Sequence, residues 1–154
     1  MALDYAKVLH EQEISYKIIG RSKKSALQFK KNFNKQVEFG GIKNYVAKAS
    51  GAKFAIVAVG VGDLFEVAKI IIDAGVQRIL IEKPAGASFK QISDLTIIAK
   101  RRNIKIFVAY NRRFYESVVK ARELIKEDGG VKSFLFDFTE LGNQVETLDV
   151  SPSI

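Results

Sequence analysis

Arg78-Ile79-Leu80-Ile81-Glu82-Lys83-Pro84 sets a short apolar run against an acid, a base and a proline in immediate succession. Such a run fits a buried strand. Proline ends the strand's hydrogen bonding and admits a cis peptide far more readily than other residues do. Lys83 therefore stands at a strand's C-terminal edge, where open α/β sheets bind ligands. A lysine held there can donate protons and hydrogen bonds to a reacting oxygen. Three residues are a weak signal alone, and their weight depends on the flanking sequence.

Upstream, residues 54–59 (FAIVAV) form a continuous apolar run, which predicts a strand buried on both faces. Gly60-Val61-Gly62 breaks it, and Asp63 suits a helix N-cap. The following helix carries Leu64, Val67, Ala68, Ile71 and Ile72 and stops at Gly75. Downstream, Ser88 suits the cap of a helix bearing Phe89, Ile92, Leu95 and Ala99. Residues 104–109 read as another buried strand, and 114–126 as a helix with Phe114, Val118, Ala121 and Ile125 on one stripe.

Nearer the N-terminus, helices are predicted over 3–12 (Leu3, Ala6 and Leu9 inward), 25–34 and 42–49, with strands over 14–19 and 37–39. After Gly129-Gly130, residues 131–138 alternate in part, which predicts a strand with one buried face. Residues 141–154 show no pattern. Strands alternating with helices predict a parallel sheet covered on both faces, a doubly wound, Rossmann-like α/β fold.

The 154 residues suffice for one domain with a core. The absence of cysteine excludes disulfides and thiolate metal sites, and the single histidine, His10, excludes a multi-histidine site. No apolar stretch approaches a membrane span and no secretory signal run is evident, so a cytoplasmic location is the default expectation. The net charge of +8 favours anionic partners. It is concentrated in Lys17, Arg21, Lys23, Lys24, Lys30, Lys31 and Lys35, and again in Lys100, Arg101, Arg102 and Lys105. Solvated helix faces are the plainer account of both clusters. A nucleic-acid reading rests on charge alone, because no helix-turn-helix, RRM or zinc pattern supports it.

Four features in order now carry a resemblance: the 14–19 strand reaching Gly20-Arg21-Ser22, the FAIVAV strand before a helix, Ile81-Glu82-Lys83-Pro84, and residues 108–114 (Val-Ala-Tyr-Asn-Arg-Arg-Phe). The chain resembles the Gfo/Idh/MocA family of NAD(P)-dependent oxidoreductases, which act mostly on sugars, sugar derivatives and cyclitols. The resemblance covers about residues 2–140. It implies that Lys83 is catalytic, hydrogen-bonding the substrate oxygen as acid, base or orienting group. It implies cofactor contacts from Gly60, Val61, Glu82, Lys83, Pro84, Asn111 and Arg112, with Glu82 at the nicotinamide ribose. Arg21 and Ser22 would lie at the adenosine ribose, where an arginine beside a serine suits the 2′-phosphate of NADP, with NAD as the alternative.

The chain also departs from the family. The G-x-G-x-x-G/A fingerprint and its strand are not found; Ala2 fits the fingerprint's last position. The substrate domain is represented only by the 131–138 strand, and His10 cannot be its histidine. Many members have Thr-Pro-Asn-x-x-His across Val59 to Leu64, so Val61 and Leu64 replace an asparagine and a histidine. The expected organisation is an incomplete dinucleotide-binding domain over 1–128 and the start of a substrate or oligomerisation domain over 129–154. The expected activity is hydride transfer between NAD(P) and a sugar-like hydroxyl or carbonyl, with homo-oligomerisation in a full-length form and no specific nucleic acid or membrane partner. The alternative is a non-catalytic module of the same fold. In the usual strand order the absent strand is central, which predicts two half-sheets with unpaired edges.

Overall fold

A computed structural model of the protein describes residues 1–33, 35–46, 51–135 and 137. Residues 1–110 form one compact unit and 111–154 another. In the first, α1 (Ala2–Glu11), β1 (Ile18–Gly20), α2 (Lys23–Phe33), β2 (Val37–Phe39) and α3 (Gly41–Val46) precede β3 (Phe54–Val57). A 3-10 turn (Val61–Asp63), α4 (Leu64–Asp73), β4 (Arg78–Ile81), α5 (Phe89–Arg101) and β5 (Lys105–Val108) complete it.

All strand pairs are parallel, as the βα alternation requires, but the sheet is split. Among the described residues β1 pairs only with β2, matching Ile18 to Val37. β3, β4 and β5 form a separate sheet with β4 central, matching Phe54 to Arg78 and Ile81 to Val108. The predicted α/β class and the predicted half-sheets are both observed. One edge of β1 and one edge of β3 have no strand partner among the described residues.

The core belongs to the larger sheet. Val57, Ile79 and Ile81 pack with Leu64, Ala68, Ile71 and Ile72 of α4 and Leu95 of α5. Ala55, Ile106 and Val108 extend the same face. The opposite face is open, with Phe54 64% and Phe107 56% exposed. This corrects the expectation of strands buried on both faces: α4 and α5 share one face, and alternation along each strand sends the other side chains to the uncovered one. Among the described residues the β1–β2 half has no comparable core; the buried hydrophobics of α1 and α2 there are Ala6 and Ala26. α1 turns inward through Tyr5, Ala6 and Leu9, while Leu3 is exposed.

Local signals explain most element ends. Gly75 takes φ +85° after α4, a conformation that would strain any L residue. The Ser88 hydroxyl caps α5 by accepting from the Gln91 N–H at 3.3 Å. Asp63, expected to cap α4, makes no side-chain cap bond; its carboxylate is turned to Arg21. Arg102, part of a basic cluster, pairs with Asp73 at 2.7 Å and ties the ends of α4 and α5 together. Among the described residues no helix is long and apolar enough to cross a membrane.

In the second unit, Asn111–Phe114 form a 3-10 turn and Glu116–Glu127 form α6. The expected α6 stripe is not buried there: Phe114 and Ile125 are exposed. Residues 131–135 form no strand. The rest of that predicted strand, apart from Asp137, and the 141–154 tail lie outside the described residues, as do 47–49 of the third predicted helix.

Candidate functional site

Parallel pairing brings the C-terminal ends of β3 and β4 side by side. Val57 is matched with Ile81, so the segments leaving the two strands, Ala58–Gly62 and Glu82–Pro84, emerge next to one another. The Glu82 N–H donates to the Val57 carbonyl at 2.9 Å and carries the ladder one step past β4. Glu82 still has strand-like support, whereas Lys83 and Pro84 stand beyond it in the open.

Glu82 is the buried charged residue of this unit, 6% exposed. A carboxylate at that depth is costly unless its oxygens are hydrogen-bonded. The Tyr5 hydroxyl donates to Oε1 at 2.7 Å, and the Lys83 N–H donates to Oε2 at 3.2 Å. Burial pushes the Tyr5 phenol pKa up, and the Glu82 hydrogen bond and charge push it further the same way. The phenol therefore stays a proton donor to Glu82.

The Lys83–Pro84 peptide is cis. The Ala85 N–H returns to the Glu82 carbonyl at 2.9 Å, closing a tight turn around Lys83 and Pro84. Gly86 follows under the first turn of α5, where a Cβ would meet Gln91 Cβ at 3.0 Å. Gln91 Oε1 accepts from the Ala87 N–H at 2.7 Å. Together with the Ser88 cap these bonds make a close relative of the capping box, which fixes the loop at its far end. The Lys83 ammonium, in contrast, has no hydrogen-bond or ion-pair partner among the described residues. The result is a hydrogen-bonded turn presenting a buried acceptor and an accessible cation on consecutive residues.

Arg21 and Ser22 leave the end of β1, and Arg21 Nη1 lies 3.2 Å from Asp63 Oδ2 in the 3-10 turn after β3. The structure therefore links Arg21 to the turn that contains Val61. Gly60 N-caps that turn. Leu64, which the sequence reading set against a histidine of the resembled family, is completely buried in the core. Asn111 and Arg112 lie in the 3-10 turn of the second unit, both exposed.

Sequence reasoning did not find Tyr5. Its signal was slight: a tyrosine beside the inward Ala6 rather than on the assumed Leu3–Ala6–Leu9 stripe. A concavity of about 450 Å³ lies away from these residues, lined by Thr96, Lys100, Ile104 and Phe107 among others on α5 and the outer edge of β5. Among the described residues no group of three or more His, Asp or Glu is placed to hold a metal.

No protein-family model matches the sequence, and no curated protein does. Solved structures share the fold. GenD2 from gentamicin A biosynthesis, in complex with NAD, is 20% identical with TM-score 0.66, covering 78% of this chain and 34% of its own. An NAD-binding oxidoreductase from Klebsiella pneumoniae is 18% identical with TM-score 0.62, covering 73% and 29% respectively. UDP-N-acetylglucosamine 3-dehydrogenase GnnA from Acidithiobacillus ferrooxidans is 18% identical with TM-score 0.59, covering 70% and 34%. The chain spans about a third of the length of these structures.

Proposed function

We propose that this chain is part of the dinucleotide-binding half of an NAD(P)-dependent oxidoreductase of Gfo/Idh/MocA type, acting on a sugar, sugar derivative or cyclitol. The observation that carries the reading is Glu82 and Lys83 side by side at the C-terminal end of the central strand β4, one buried and hydrogen-bonded, the other accessible. Parallel α/β sheets bind ligands at that edge. The neighbours' fold, and the names of GnnA and GenD2, support the reading and the sugar-like substrate class. When bound, the dinucleotide supplies a site that exchanges hydride with carbon.

The chain's own residues would do the rest. Lys83 holds or moves a proton at the substrate oxygen whose carbon exchanges the hydride. Glu82 accepts from a ribose hydroxyl, since two donors leave further lone pairs on its carboxylate. Gly60 and Val61 border the dinucleotide along its length, and Pro84 shapes the turn that presents Lys83. Arg21 and Ser22 stand where an adenosine ribose would carry a 2′-phosphate, which favours NADP over NAD. Asn111 and Arg112 act at the nicotinamide end, and a full-length form is expected to be cytoplasmic and to form homo-oligomers.

Titration of the protein with NADPH and with NADH, followed by nucleotide fluorescence, tests the reading. Saturable binding below millimolar concentration is expected, tighter for NADPH. Absence of binding by both would remove it. A second reading, a module that keeps the fold without the chemistry, is favoured by the split sheet and by Leu64 buried where a cofactor contact is common in the family. It predicts no nucleotide binding.

A further inference from the structure

We infer that Tyr5 is a positioning residue for the proposed nucleotide site, aiming the Glu82 carboxylate at the ligand from a helix 77 residues away in sequence. The inference rests on the reading of Glu82 as a ribose contact. Three observations carry it.

Glu82 is almost wholly buried, yet it stands at the strand end where the site opens. A glutamate has three side-chain torsions, and burial alone does not choose among them. The Tyr5 hydroxyl at 2.7 Å from Oε1 and the Lys83 N–H at 3.2 Å from Oε2 fix both oxygens from two directions. The Tyr5 contact has the length of a well-formed O–H···O hydrogen bond.

Tyr5 is itself held. It lies in the first turn of α1, next to the buried Ala6, whose carbonyl accepts from the Tyr16 hydroxyl at 3.1 Å. The phenol reaches Glu82 from a helix anchored by a separate bond, so the two bonds of α1 can be removed one at a time. Neither bond involves Lys83's side chain. Tyr5 thus acts on ligand affinity through Glu82 and has no part in proton transfer at the substrate.

Nucleotide affinity is measured for the wild type, Tyr5→Phe, Tyr16→Phe, Glu82→Ala and the Tyr5→Phe/Glu82→Ala pair, with melting temperatures alongside. Tyr5→Phe is expected to weaken NADPH binding about tenfold, the scale of a lost hydrogen bond to a charged group. Tyr16→Phe removes a hydrogen bond from the same helix and is expected to lower the melting temperature without changing affinity. In the Glu82→Ala background, Tyr5→Phe is expected to add nothing, the mark of two residues acting as one. Equal loss of affinity in Tyr5→Phe and Tyr16→Phe would make Tyr5 merely structural and overturn the inference. So would unchanged affinity in Tyr5→Phe when the wild type binds. Failure of the wild type to bind either nucleotide overturns the site reading and this inference together, which separates the two failures.

Discussion

Arg21 Nη1 and Asp63 Oδ2, 3.2 Å apart, join the end of the two-stranded sheet to the turn that follows the first strand of the three-stranded one. Both side chains are well exposed, so the pair contributes no more than about 1 kcal/mol to stability. Its importance is in placement, because Asp63 occupies one N–H edge of the guanidinium proposed to meet a 2′-phosphate.

Asp63→Asn therefore has a directional outcome. It frees Arg21 and removes a negative charge from beside the phosphate position. NADPH binding is expected to tighten severalfold, about 1 kcal/mol, while NADH changes little. Arg21→Ala is expected to weaken NADPH selectively. The ratio of the two affinities, measured by titration at fixed ionic strength, is the readout; a parallel change for both nucleotides would remove Arg21 from the ribose.

Lys83→Met keeps the length of the side chain and removes its charge. In a form that shows the proposed activity, turnover is expected to fall about a hundredfold or more, the usual scale for a general acid or base. NADPH affinity is expected to hold. Steady-state kinetics with a parallel binding titration checks both parts, and unchanged turnover would end the catalytic assignment.

The Tyr5 phenol carries a pH signature. Its pKa is raised in the fold by burial and by Glu82, above the ~10 of a free phenol. Folding thus favours the protonated form. The associated stability is fully present below about pH 10 and is lost as pH rises through the folded value. Difference absorbance at 295 nm between the wild type and Tyr5→Phe is expected to show late ionisation, moved down by Glu82→Ala. Titration at the free-phenol value would mean that the Tyr5–Glu82 bond is not formed in solution.

The divided sheet predicts marginal stability. The edges of β1 and β3 that have no strand partner among the described residues invite association. Concentration-dependent association and a low melting temperature are expected. Light scattering and calorimetry check this. A soluble monomer with a cooperative melt would count against it.

Core truncation provides the internal standard. Ile79, fully buried in the central strand, is expected to cost about 2–5 kcal/mol as Ile79→Ala. Phe89, 86% exposed at the start of α5, is expected to change stability by less than about 0.5 kcal/mol as Phe89→Ser. Urea unfolding distinguishes them.

Much of this was legible in the sequence because it is local. The bounds of β2, the stop at Gly75 and the Ser88 cap each depend on neighbouring residues. The split of the sheet followed from strand order, a rule of topology. The contacts that shape the candidate site are the opposite case. Tyr5 reaches across 77 positions and Arg21 across 42, and periodicity carries no record of such pairings. Local logic even misdirected Asp63, since an aspartate before a helix suits a cap but is equally free to meet a cation. The open face of β3 and β5 was hidden for a related reason: an apolar run is the same whether or not a second layer covers it.

The division between β1 and β3 also changes what a ligand would do here. Arg21 belongs to one half-sheet, and Glu82 and Lys83 to the other. A molecule that touched all three would hold the halves in register, so occupancy and folding would be one linked equilibrium. Any ligand of the folded state adds about 2.7 kcal/mol of stability at a hundredfold excess over Kd; the mark of a bridging one is that both half-sheets melt together once it is bound. In such a protein a bound nucleotide would act as a clasp between two halves that the backbone leaves apart.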